Sequence, residues 1–460
     1  MTAPSVPGPD LRSVLAALGN AARGSGPSTA DTMLKKTEQW RPDQLVGHQL
    51  WRLADILSYA TSQVPYYRDR KAVYAVRGDL SLDSLRGLPV LSRREVLEHA
   101  EALRSQEPAA QARRWGRDVV RRASSSGSTG QHVTVQVDRT SAAMLPALAE
   151  REHRWHKRQT QLRAAAIRAV PEVSALRQGG LTWSAAGGKL SVLEVHTPVR
   201  EQLDWLLERR PAYVSTYASN AAALLAEAER SSQRWPELLE LDTFGELIGE
   251  RLREVALRVW GVPVVDAYSC VELGFMALQC GQTTDYHVQS EQVLLEVLRA
   301  DGAPCEPGET GRVVATALHA FAMPLVRYDL GDYATLGEAC ACGRGLPVLT
   351  RIVGRVRNML RLRPEAGESA DLLWPRYASN VLGGRFPIRQ FRLVQRDYEV
   401  FELELVAEPL GAAAEAALRE LVLGTLSRNL PRPPVLTYRY LDAIPRGAGG
   451  KFEDFLCAMP

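Results

Sequence analysis

Hydrophobic residues along the chain follow two alternating patterns, one with a helical period and one with a strand period. In HQLWRLADILSYATSQV (48–64) apolar residues recur every three or four positions, which predicts a helix that ends before Pro65. Beyond residue 160, short β-branched runs alternate with amphipathic segments, which indicates an α/β architecture of layered sheets and helices. The predicted strands cover 165–170, 212–218, 262–268, 290–302 and 308–318, and the predicted helices cover 200–210, 221–231 and 249–261.

The last hundred residues show a different pattern. FRLVQRDYEVFELELVAE (391–408) alternates like a pair of strands, residues 412–430 have a helical period, and residues 433–445 form another strand-like run. This composition predicts a small α+β domain. We therefore expect a large N-terminal domain over residues 1–354 and a small, mobile C-terminal domain over residues 355–460.

Composition narrows the class of protein. The 460 residues are 45% hydrophobic and 24% charged, as in soluble globular proteins. No apolar run is long enough to span a membrane, and the opening MTAPSVPGPDLRSV lacks the basic and apolar regions of a signal peptide. Six cysteines are too few for a disulfide framework, so we expect a reducing, cytoplasmic location.

The net charge of +3 is small, but basic residues cluster in two segments. One spans residues 113–122 and the other, REHRWHKRQTQLR, spans residues 151–163. The simpler interpretation is two helices with solvated basic faces, His153 and His156 included. The alternative is a positive rim that attracts a nucleotide or coenzyme A. Nucleic-acid binding is not expected, because no recognition motif accompanies the charge.

A serine- and glycine-rich segment, SSSGSTG (124–130), separates the two basic clusters. It could be a flexible linker, but HVTVQV (132–137) follows it at once and predicts a strand. Glycines and free backbone N–H groups also suit a loop that closes around phosphate oxygens. The segment lacks the Gly-Lys-Ser/Thr of a Walker loop.

Three further segments carry residues suited to nucleotide chemistry. Tyr268 and Glu272 follow a predicted buried strand in DAYSCVELG, Asp332 lies in a turn of RYDLGDYA, and Lys451 follows the glycine-rich turn of IPRGAGGK. The ring of Tyr268 could stack on a base, the Glu272 carboxylate could bind Mg²⁺, and the Asp332 carboxylate could bind ribose hydroxyls. Each residue taken alone also fits an ordinary surface or turn position.

The order and spacing of these segments resemble the adenylate-forming superfamily of acyl-CoA synthetases, adenylation domains and luciferases. SSSGSTGQ is similar to the family's phosphate loop, DAYSCVE to its Tyr-Gly-x-Thr-Glu motif and RYDLGD to its ribose-binding Gly-Asp. IVGR resembles the Gly-Arg before the hinge, and IPRGAGGK the C-terminal lysine motif. Weaker likenesses, such as LPVLSRREV (88–96), extend the resemblance from about residue 50 to residue 455 and favour the phenylacetate–CoA ligase-like branch.

The resemblance implies a role for each matching residue. Tyr268 would stack near adenine, Asp332 would bind the ribose with help from Arg355, and Glu272 would ligate Mg²⁺. Lys451 would bridge the substrate carboxylate and the α-phosphate of ATP. The loop residues that would hold the ATP phosphates are Ser126, Gly127, Ser128, Thr129 and Gly130.

Several positions depart from the family pattern. Gln131 and His132 follow the loop where lysine or a neutral residue and then proline are usual, and the glycine and threonine of the tyrosine motif are Ser269 and Val271. The hinge aspartate is Arg357, and the following glycine-asparagine-proline segment is hard to recognise. The pattern therefore supports adenylation better than the coenzyme A step.

The resemblance implies ATP-dependent activation of a carboxylic acid, with an aromatic acyl-CoA as the leading product. The alternatives are transfer of the acyl group to an amine or a carrier protein, and a non-catalytic binding homologue. Residues near AYVSTYA, TFGE and SCVELGF are expected to line the acid pocket. The acid itself and the oligomeric state cannot be read from the sequence.

Cys280, His287, Cys340 and Cys342 form a second group of reactive side chains. Three cysteines and one histidine suit a closed tetrahedral Zn²⁺ site. The spacing is not that of a standard finger, so from spacing alone free thiols are at least as good an interpretation. The resemblance favours zinc, since some phenylacetate–CoA ligase-like relatives hold zinc at comparable positions.

Overall fold

A computed structural model describes residues 28–74, 80–124, 132–169, 189–355, 360–363, 372–373, 386–428, 430–447 and 450–459. Contacts between Cα atoms divide the chain into two compact units. The first comprises residues 1–160, 184–186 and 267–352, and the second comprises residues 161–183, 187–266 and 353–460. The domain boundary that we place after residue 354 stays a prediction.

Several helices of the described residues match the helical periodicities of the sequence. The helices are α1 (Ser28–Thr37), α2 (Pro42–Gln63), α3 (Pro65–Arg68), α4 (Lys71–Tyr74), α5 (Leu82–Arg86), α6 (Arg93–Glu98), α7 (Ala109–Trp115), α8 (Arg139–Trp155), α9 (Val199–Arg209), α10 (Ala218–Arg230), α11 (Glu250–Trp260) and α12 (Ala412–Ser427). Among these helices, none is both long and apolar enough to cross a bilayer.

The strands follow the same order along the chain. They are β1 (Val119–Ser124), β2 (Thr134–Asp138), β3 (Ala164–Arg168), β4 (Leu190–Glu194), β5 (Tyr213–Thr216), β6 (Glu240–Phe244), β7 (Val264–Cys270), β8 (Gly274–Gln279), β9 (Tyr286–Val288), β10 (Val293–Leu298), β11 (Thr310–Ala317), β12 (Tyr328–Leu336), β13 (Val348–Arg355), β14 (Leu360–Arg361), β15 (Leu372–Leu373), β16 (Gln390–Asp397), β17 (Val400–Val406), β18 (Val435–Tyr440) and β19 (Phe455–Cys457).

The first unit contains a largely antiparallel sheet with the strand order β10-β11-β12-β13-β9-β8-β7. Its apolar face packs against α2 to α4, and the buried side chains include Leu53, Tyr67, Met276, Val313 and Tyr328. A separate antiparallel hairpin, β1–β2, flanks the serine- and glycine-rich segment. This sheet therefore supplies the end of β7 and the middle of β12, where two of the motif segments lie. The expected turn at Asp332 is wrong, because Asp332 lies within strand β12.

Asp138 fixes the strand that leaves the hairpin. Its carboxylate accepts the N–H of Ser141 at 2.7 Å in the first turn of α8, and those of Phe321 and Ala322 at 2.6 and 2.9 Å. A carboxylate in contact with three N–H donors is a strong local anchor. The end of β2 is consequently held to two other segments of the unit.

The second unit contains four parallel strands in the order β4-β3-β5-β6. Helices α9, α10 and α11 cover them with a core that includes Leu203, Leu224 and Ala256. In an open parallel sheet the carboxyl ends of the strands form the usual ligand-binding edge. Arg168, Thr216 and Phe244 end three of these strands.

The C-terminal part of this unit is a four-stranded sheet in the order β18-β17-β16-β19. Strands β16 and β17 form the predicted hairpin, and α12 packs on the sheet through Leu418, Val422 and Leu426. The predicted combination of an α/β sheet architecture with a small α+β C-terminal part is confirmed.

Residues 151–163 do not form a helix with a solvated basic face, so our simpler interpretation of this basic segment is wrong. Helix α8 ends at Trp155, and the side chains of Arg151 and His153 in its last turns are buried in the first unit. Burial lowers the pKa of His153 to about 3, so this imidazole is neutral. In the first basic segment, by contrast, Arg121 and Arg122 are exposed but lie on β1 instead of a helix.

Arg151 is buried because it meets an equally buried partner. Its guanidinium contacts the Glu291 carboxylate at 2.7 and 3.1 Å and donates to the carbonyl of Leu34 at 2.7 Å. Both side chains are 0% exposed. A charge pair of this kind is stable only while both members are present, since one buried charge without the other is very unfavourable.

We predict that Arg151→Met lowers the free energy of unfolding by about 3–5 kcal/mol, because it leaves Glu291 charged and buried. The shift of the urea midpoint, followed by tryptophan fluorescence, measures the effect. Arg154→Met is the matched control: Arg154 contacts Glu38 at 3.4 Å but is 25% exposed, so its change should stay below about 1 kcal/mol. Equal midpoints for the two variants would contradict the prediction.

Candidate active site

Tyr268 and Asp332 meet in the first unit. The hydroxyl of Tyr268 on β7 donates to Oδ2 of Asp332 on β12 at 2.8 Å, although 64 residues separate them in the sequence. Tyr268 is buried, with 8% of its surface exposed. The structure thus brings together the two residues that we predicted to contact the base and the ribose of a nucleotide.

The backbone around Asp332 explains its position. Gly331 has a φ of +71°, a conformation that glycine adopts readily, and its N–H donates to Oδ1 of Asp329 at 2.8 Å. Arg312 on the neighbouring strand contacts the other oxygen of Asp329 at 3.4 Å, beside a bulge in the β11–β12 ladder. This irregular stretch turns the Asp332 side chain toward Tyr268.

Glu272 lies in the tight turn between β7 and β8. The turn ends at Gly274, which has a φ of +76°, and Gln292 donates to the carbonyl of Leu273 at 2.9 Å. The Glu272 side chain is only 5% exposed, and its carboxylate contacts the guanidinium of Arg93 at 3.3 Å. The residue that we predicted to ligate Mg²⁺ is therefore a buried carboxylate beside a cation.

Arg93 is a site residue that our sequence reasoning missed. It begins α6, whose start is fixed by a reciprocal capping box between Ser92 and Glu95. Leu91 pairs with the β12 region, since its N–H donates to the carbonyl of Arg327 and its carbonyl accepts the N–H of Asp329, both at 2.9 Å. The Ser-x-x-Glu pattern could have located the helix start, but it does not indicate which side chain faces Glu272.

The predicted phosphate loop lies outside the described residues. The residues concerned are Ser126, Gly127, Ser128, Thr129 and Gly130. At its described edges, Ser124 and Thr134 pair across β1 and β2, with their hydroxyls 2.7 Å apart. The assignment of the loop to the ATP phosphates stays a prediction.

Lys451 lies in the second unit, next to Gly245 at the end of β6. A Cβ atom at Gly245 would lie 3.1 Å from Cε and 3.3 Å from Nζ of Lys451, and Gly245 has a φ of +71°. The glycine therefore leaves the space that the lysine side chain occupies. Arg355 ends β13, and its side chain lies outside the described residues.

Aromatic side chains surround this strand edge. The rings of Tyr217 and Phe244 are 4.8 Å apart, and the guanidinium of Arg168 lies 3.3 Å from the centre of the Phe244 ring. Arg168 also donates to the hydroxyl of Ser215 at 2.8 Å. Tyr217 and Phe244 come from the AYVSTYA and TFGE segments that we expected to line an acid pocket.

The four predicted zinc ligands converge in the first unit. Their ligand atoms, in Cys280, His287, Cys340 and Cys342, all lie within 4.8 Å of one another. The sulfurs of Cys280 and Cys340 are 3.9 Å apart, and Cys342 Sγ is 3.2 Å from His287 Nε2. Two thiolates bound tetrahedrally at about 2.3 Å from Zn²⁺ would be about 3.8 Å apart, so the group fits a zinc ion.

The surroundings of His287 also suit a metal ligand. Its Nδ1 lies 3.4 Å from the carbonyl of Leu346, which can only accept a hydrogen bond, so Nδ1 carries the proton and Nε2 faces the sulfurs. Burial lowers the pKa of His287 to about 4, which keeps the imidazole neutral near pH 7. A neutral imidazole with a free Nε2 lone pair is the form that binds a metal.

Comparisons with known proteins agree with this geometry. The chain is 27% identical over 445 residues to the phenylacetate–coenzyme A ligase of Thermus thermophilus, with 90% of the chain and 96% of the relative covered. It is 25% identical over 350 residues to the phenylacetate–coenzyme A ligase of Escherichia coli, covering 72% and 76%. No family model matches the chain.

A solved structure shows the same fold. The crystal structure of 2-hydroxyisobutyryl-CoA ligase in the postadenylation state, in complex with R3-HIB-AMP, superposes with a TM-score of 0.72 at 18% identity, covering 92% of this chain and 91% of that one. The chain is thus similar in sequence to phenylacetate–coenzyme A ligases and shares the fold of an acyl-CoA ligase.

The described motif residues fall into two groups. Tyr268 and Asp332 lie on β7 and β12 of the first unit, and Glu272 lies in the turn after β7. Lys451 lies in the second unit against Gly245. In the first group, Tyr268 contacts Asp332 and Glu272 contacts Arg93 through their side chains.

Proposed function

We propose that the protein activates a carboxylic acid with ATP, forms an acyl-adenylate and transfers the acyl group to coenzyme A. The Tyr268–Asp332 contact carries this proposal, because it joins the predicted base-binding and ribose-binding residues at one place in the fold. The sequence relatives are phenylacetate–coenzyme A ligases, which supports phenylacetate or a similar aromatic acid as the substrate.

Asp332 and Tyr268 would orient the nucleoside part of ATP. A carboxylate can accept hydrogen bonds from both ribose hydroxyls, and the Tyr268 hydroxyl already orients Oδ2 of Asp332. A ring next to this carboxylate is well placed to lie against the adenine. The phosphates would then extend toward Glu272, which follows Tyr268 by four residues in the sequence.

Glu272 would hold a Mg²⁺ ion, which would neutralise phosphate charge. The residue offers the carboxylate oxygens that a hard cation prefers, and in the structure this carboxylate pairs with Arg93 at 3.3 Å. When the metal takes that carboxylate, Arg93 would be available to contact phosphate oxygens. The arginine would supply part of the charge that a lysine in the position of Gln131 supplies in relatives.

The reaction needs positive charge where negative charge develops. A carboxylate oxygen of the acid attacks the α-phosphorus of ATP, the bond from that phosphorus to the bridging oxygen breaks, and pyrophosphate leaves. Lys451 would stabilise the carboxylate and the α-phosphate during this step. In the second step the thiolate of coenzyme A attacks the acyl carbon and AMP leaves.

Two alternatives share the same fold. An amine or a carrier-protein thiol could replace coenzyme A as the acceptor, an idea motivated by Arg357 where the hinge aspartate is usual. A non-catalytic homologue could bind the ligands without reacting them, as the substitutions Ser269 and Val271 suggest. The buried position of Glu272 and the placement of Lys451 against Gly245 favour an enzyme.

We predict acid-dependent exchange of labelled pyrophosphate into ATP with an acid from a panel that includes phenylacetate, benzoate and small hydroxy acids. Exchange requires reversible formation of the acyl-adenylate, so it reports the first step alone. Addition of coenzyme A should then convert the acid to a thioester that mass spectrometry detects.

The possible outcomes separate the three interpretations. Exchange without a thioester, together with an acylated amine or carrier, would identify another acceptor. No exchange with any acid, from protein that is folded by circular dichroism, would favour the non-catalytic homologue.

Lys451→Ala should reduce pyrophosphate exchange by roughly 10²–10³-fold, the usual effect of removing one group that stabilises developing charge. The fold should not change, because the lysine side chain is only partly buried. Lys189→Ala is a control for general loss of positive charge and should leave exchange unaffected. Unchanged exchange in Lys451→Ala would refute the assigned role.

We also propose a structural Zn²⁺ ion, held by Cys280, His287, Cys340 and Cys342. The four ligands would close the coordination sphere, so the metal would stabilise the fold and not take part in the reaction. It would join the residue that follows β8, strand β9 and the loop after β12, where these ligands lie. The sulfur spacing of 3.9 Å between Cys280 and Cys340 supports this assignment.

Purified protein should contain about one zinc per chain by elemental analysis, and Cys342→Ser should lose most of it. Cys457→Ser is the matched control, because Cys457 is a half-exposed cysteine on β19, in the other unit. Folded wild-type protein with less than about half an equivalent of zinc would argue against the site.

A further inference from the structure

Glu246 has contacts that the proposed mechanism does not yet use. It follows Gly245 after β6, and its side chain is 7% exposed. One carboxylate oxygen accepts the N–H of Ser219, in the first turn of α10, at 2.7 Å. The other accepts the N–H of Phe452, the residue directly after Lys451, at 2.5 Å.

Arg446 holds the other side of the same loop. Its Nη1 donates to the hydroxyl of Ser219 at 2.7 Å and to the carbonyl of Gly450 at 3.1 Å. The same nitrogen lies 3.8 Å from the Glu246 carboxylate, and the Arg446 side chain is 11% exposed. Glu246 and Arg446 therefore contact the backbone on both sides of Lys451, and we call this pair the lysine-loop clasp.

The loop itself fits closely at this position. A Cβ at Gly450 would lie 2.9 Å from Cε2 of Tyr217 and 3.0 Å from Cγ1 of Val195, and Gly450 has a φ of +75°. The carbonyl of Lys451 accepts the N–H of Gly447 at 2.9 Å. Lys451 lies outside any helix or strand, so these contacts hold the backbone from which its side chain reaches Gly245.

We propose that Glu246 is a positioning residue for the adenylating step: through the clasp it holds the lysine loop with Lys451 against Gly245. This inference rests on the proposed function and adds a residue to it. Hydrogen bonds from backbone N–H groups to a carboxylate are stronger than those to a neutral acceptor. Transfer of the acyl group to coenzyme A does not require Lys451 in this position, so the clasp should matter for the first step alone.

Glu246→Gln tests the proposal with little change in size. An amide offers one acceptor oxygen and one NH₂ group, so it can accept from Ser219 or from Phe452 but not from both. We expect pyrophosphate exchange to fall about tenfold to hundredfold. Thioester formation from supplied acyl-adenylate and coenzyme A should stay within about twofold of wild type, and this ratio separates positioning from a general loss of structure.

Arg446→Met provides a second variant, which removes the contacts to Gly450 and Ser219 while keeping most of the side-chain volume. It should show the same selective loss of exchange. Glu237→Gln is the matched control, since Glu237 is 43% exposed and pairs with Arg210 on the surface of the same unit. In Glu237→Gln, both pyrophosphate exchange and thioester formation should be unaffected.

Hydrogen exchange gives a readout that does not depend on activity. The amide of Phe452 should exchange slowly in the wild type and much faster in Glu246→Gln, as followed in peptides covering residues 450–455. Equal loss of both steps, or a Phe452 amide that exchanges equally fast in both proteins, would overturn the proposal. If the wild type shows slow amide exchange but no acid-dependent pyrophosphate exchange, the proposed function fails while the clasp stands.

Discussion

The buried ion pair of Arg151 and Glu291 fixes the segment between β9 and β10. Side chains of this segment contact the Glu272 turn and strand β9. Gln292 donates to the carbonyl of Leu273 in the Glu272 turn at 2.9 Å, and Gln289 donates to the carbonyl of His287 at 2.7 Å. The ion pair thus lies in the segment whose side chains contact both the Glu272 turn and the strand of His287.

The two units use buried charge in different ways. Arg151 contacts Glu291 directly at 2.7 Å with both side chains fully buried, so separating them would leave each charge unpaired and without water. In the clasp, Arg446 and Glu246 are 3.8 Å apart, and backbone N–H and carbonyl groups make the shorter contacts. The attraction between two charges falls with the distance between them, so the Arg446–Glu246 pair is the weaker one. Water can also replace the backbone groups that contact Arg446 and Glu246. The first arrangement suits a permanent core, and the second is a contact that is easier to break and form again.

Periodicity in the sequence predicted several helices and strands but missed others, such as β8, β9, β12 and β13. The strands at 165–170, 212–218 and 262–268 were found because β-branched runs are local features. The Cys/His group was found because Cys340 and Cys342 are one residue apart. Arg93, Arg151 and Glu246 were missed because their partners are 179, 140 and 206 residues away, respectively. In a single sequence, such an arginine or glutamate looks the same as a solvated one.

The departures from the family motif change the chemistry around Glu272 but leave its position in the turn intact. Ser269 pairs with Phe275 in the β7–β8 ladder and is not among the described residues with positive φ, so a glycine is not needed there. Val271 is 41% exposed and replaces a hydroxyl with an apolar surface. Gly274 and Gln292 still determine the turn, and Glu272 stays buried beside Arg93. The substitutions replace one hydroxyl with an apolar group but keep the Glu272 carboxylate in the place that the proposed Mg²⁺ site requires.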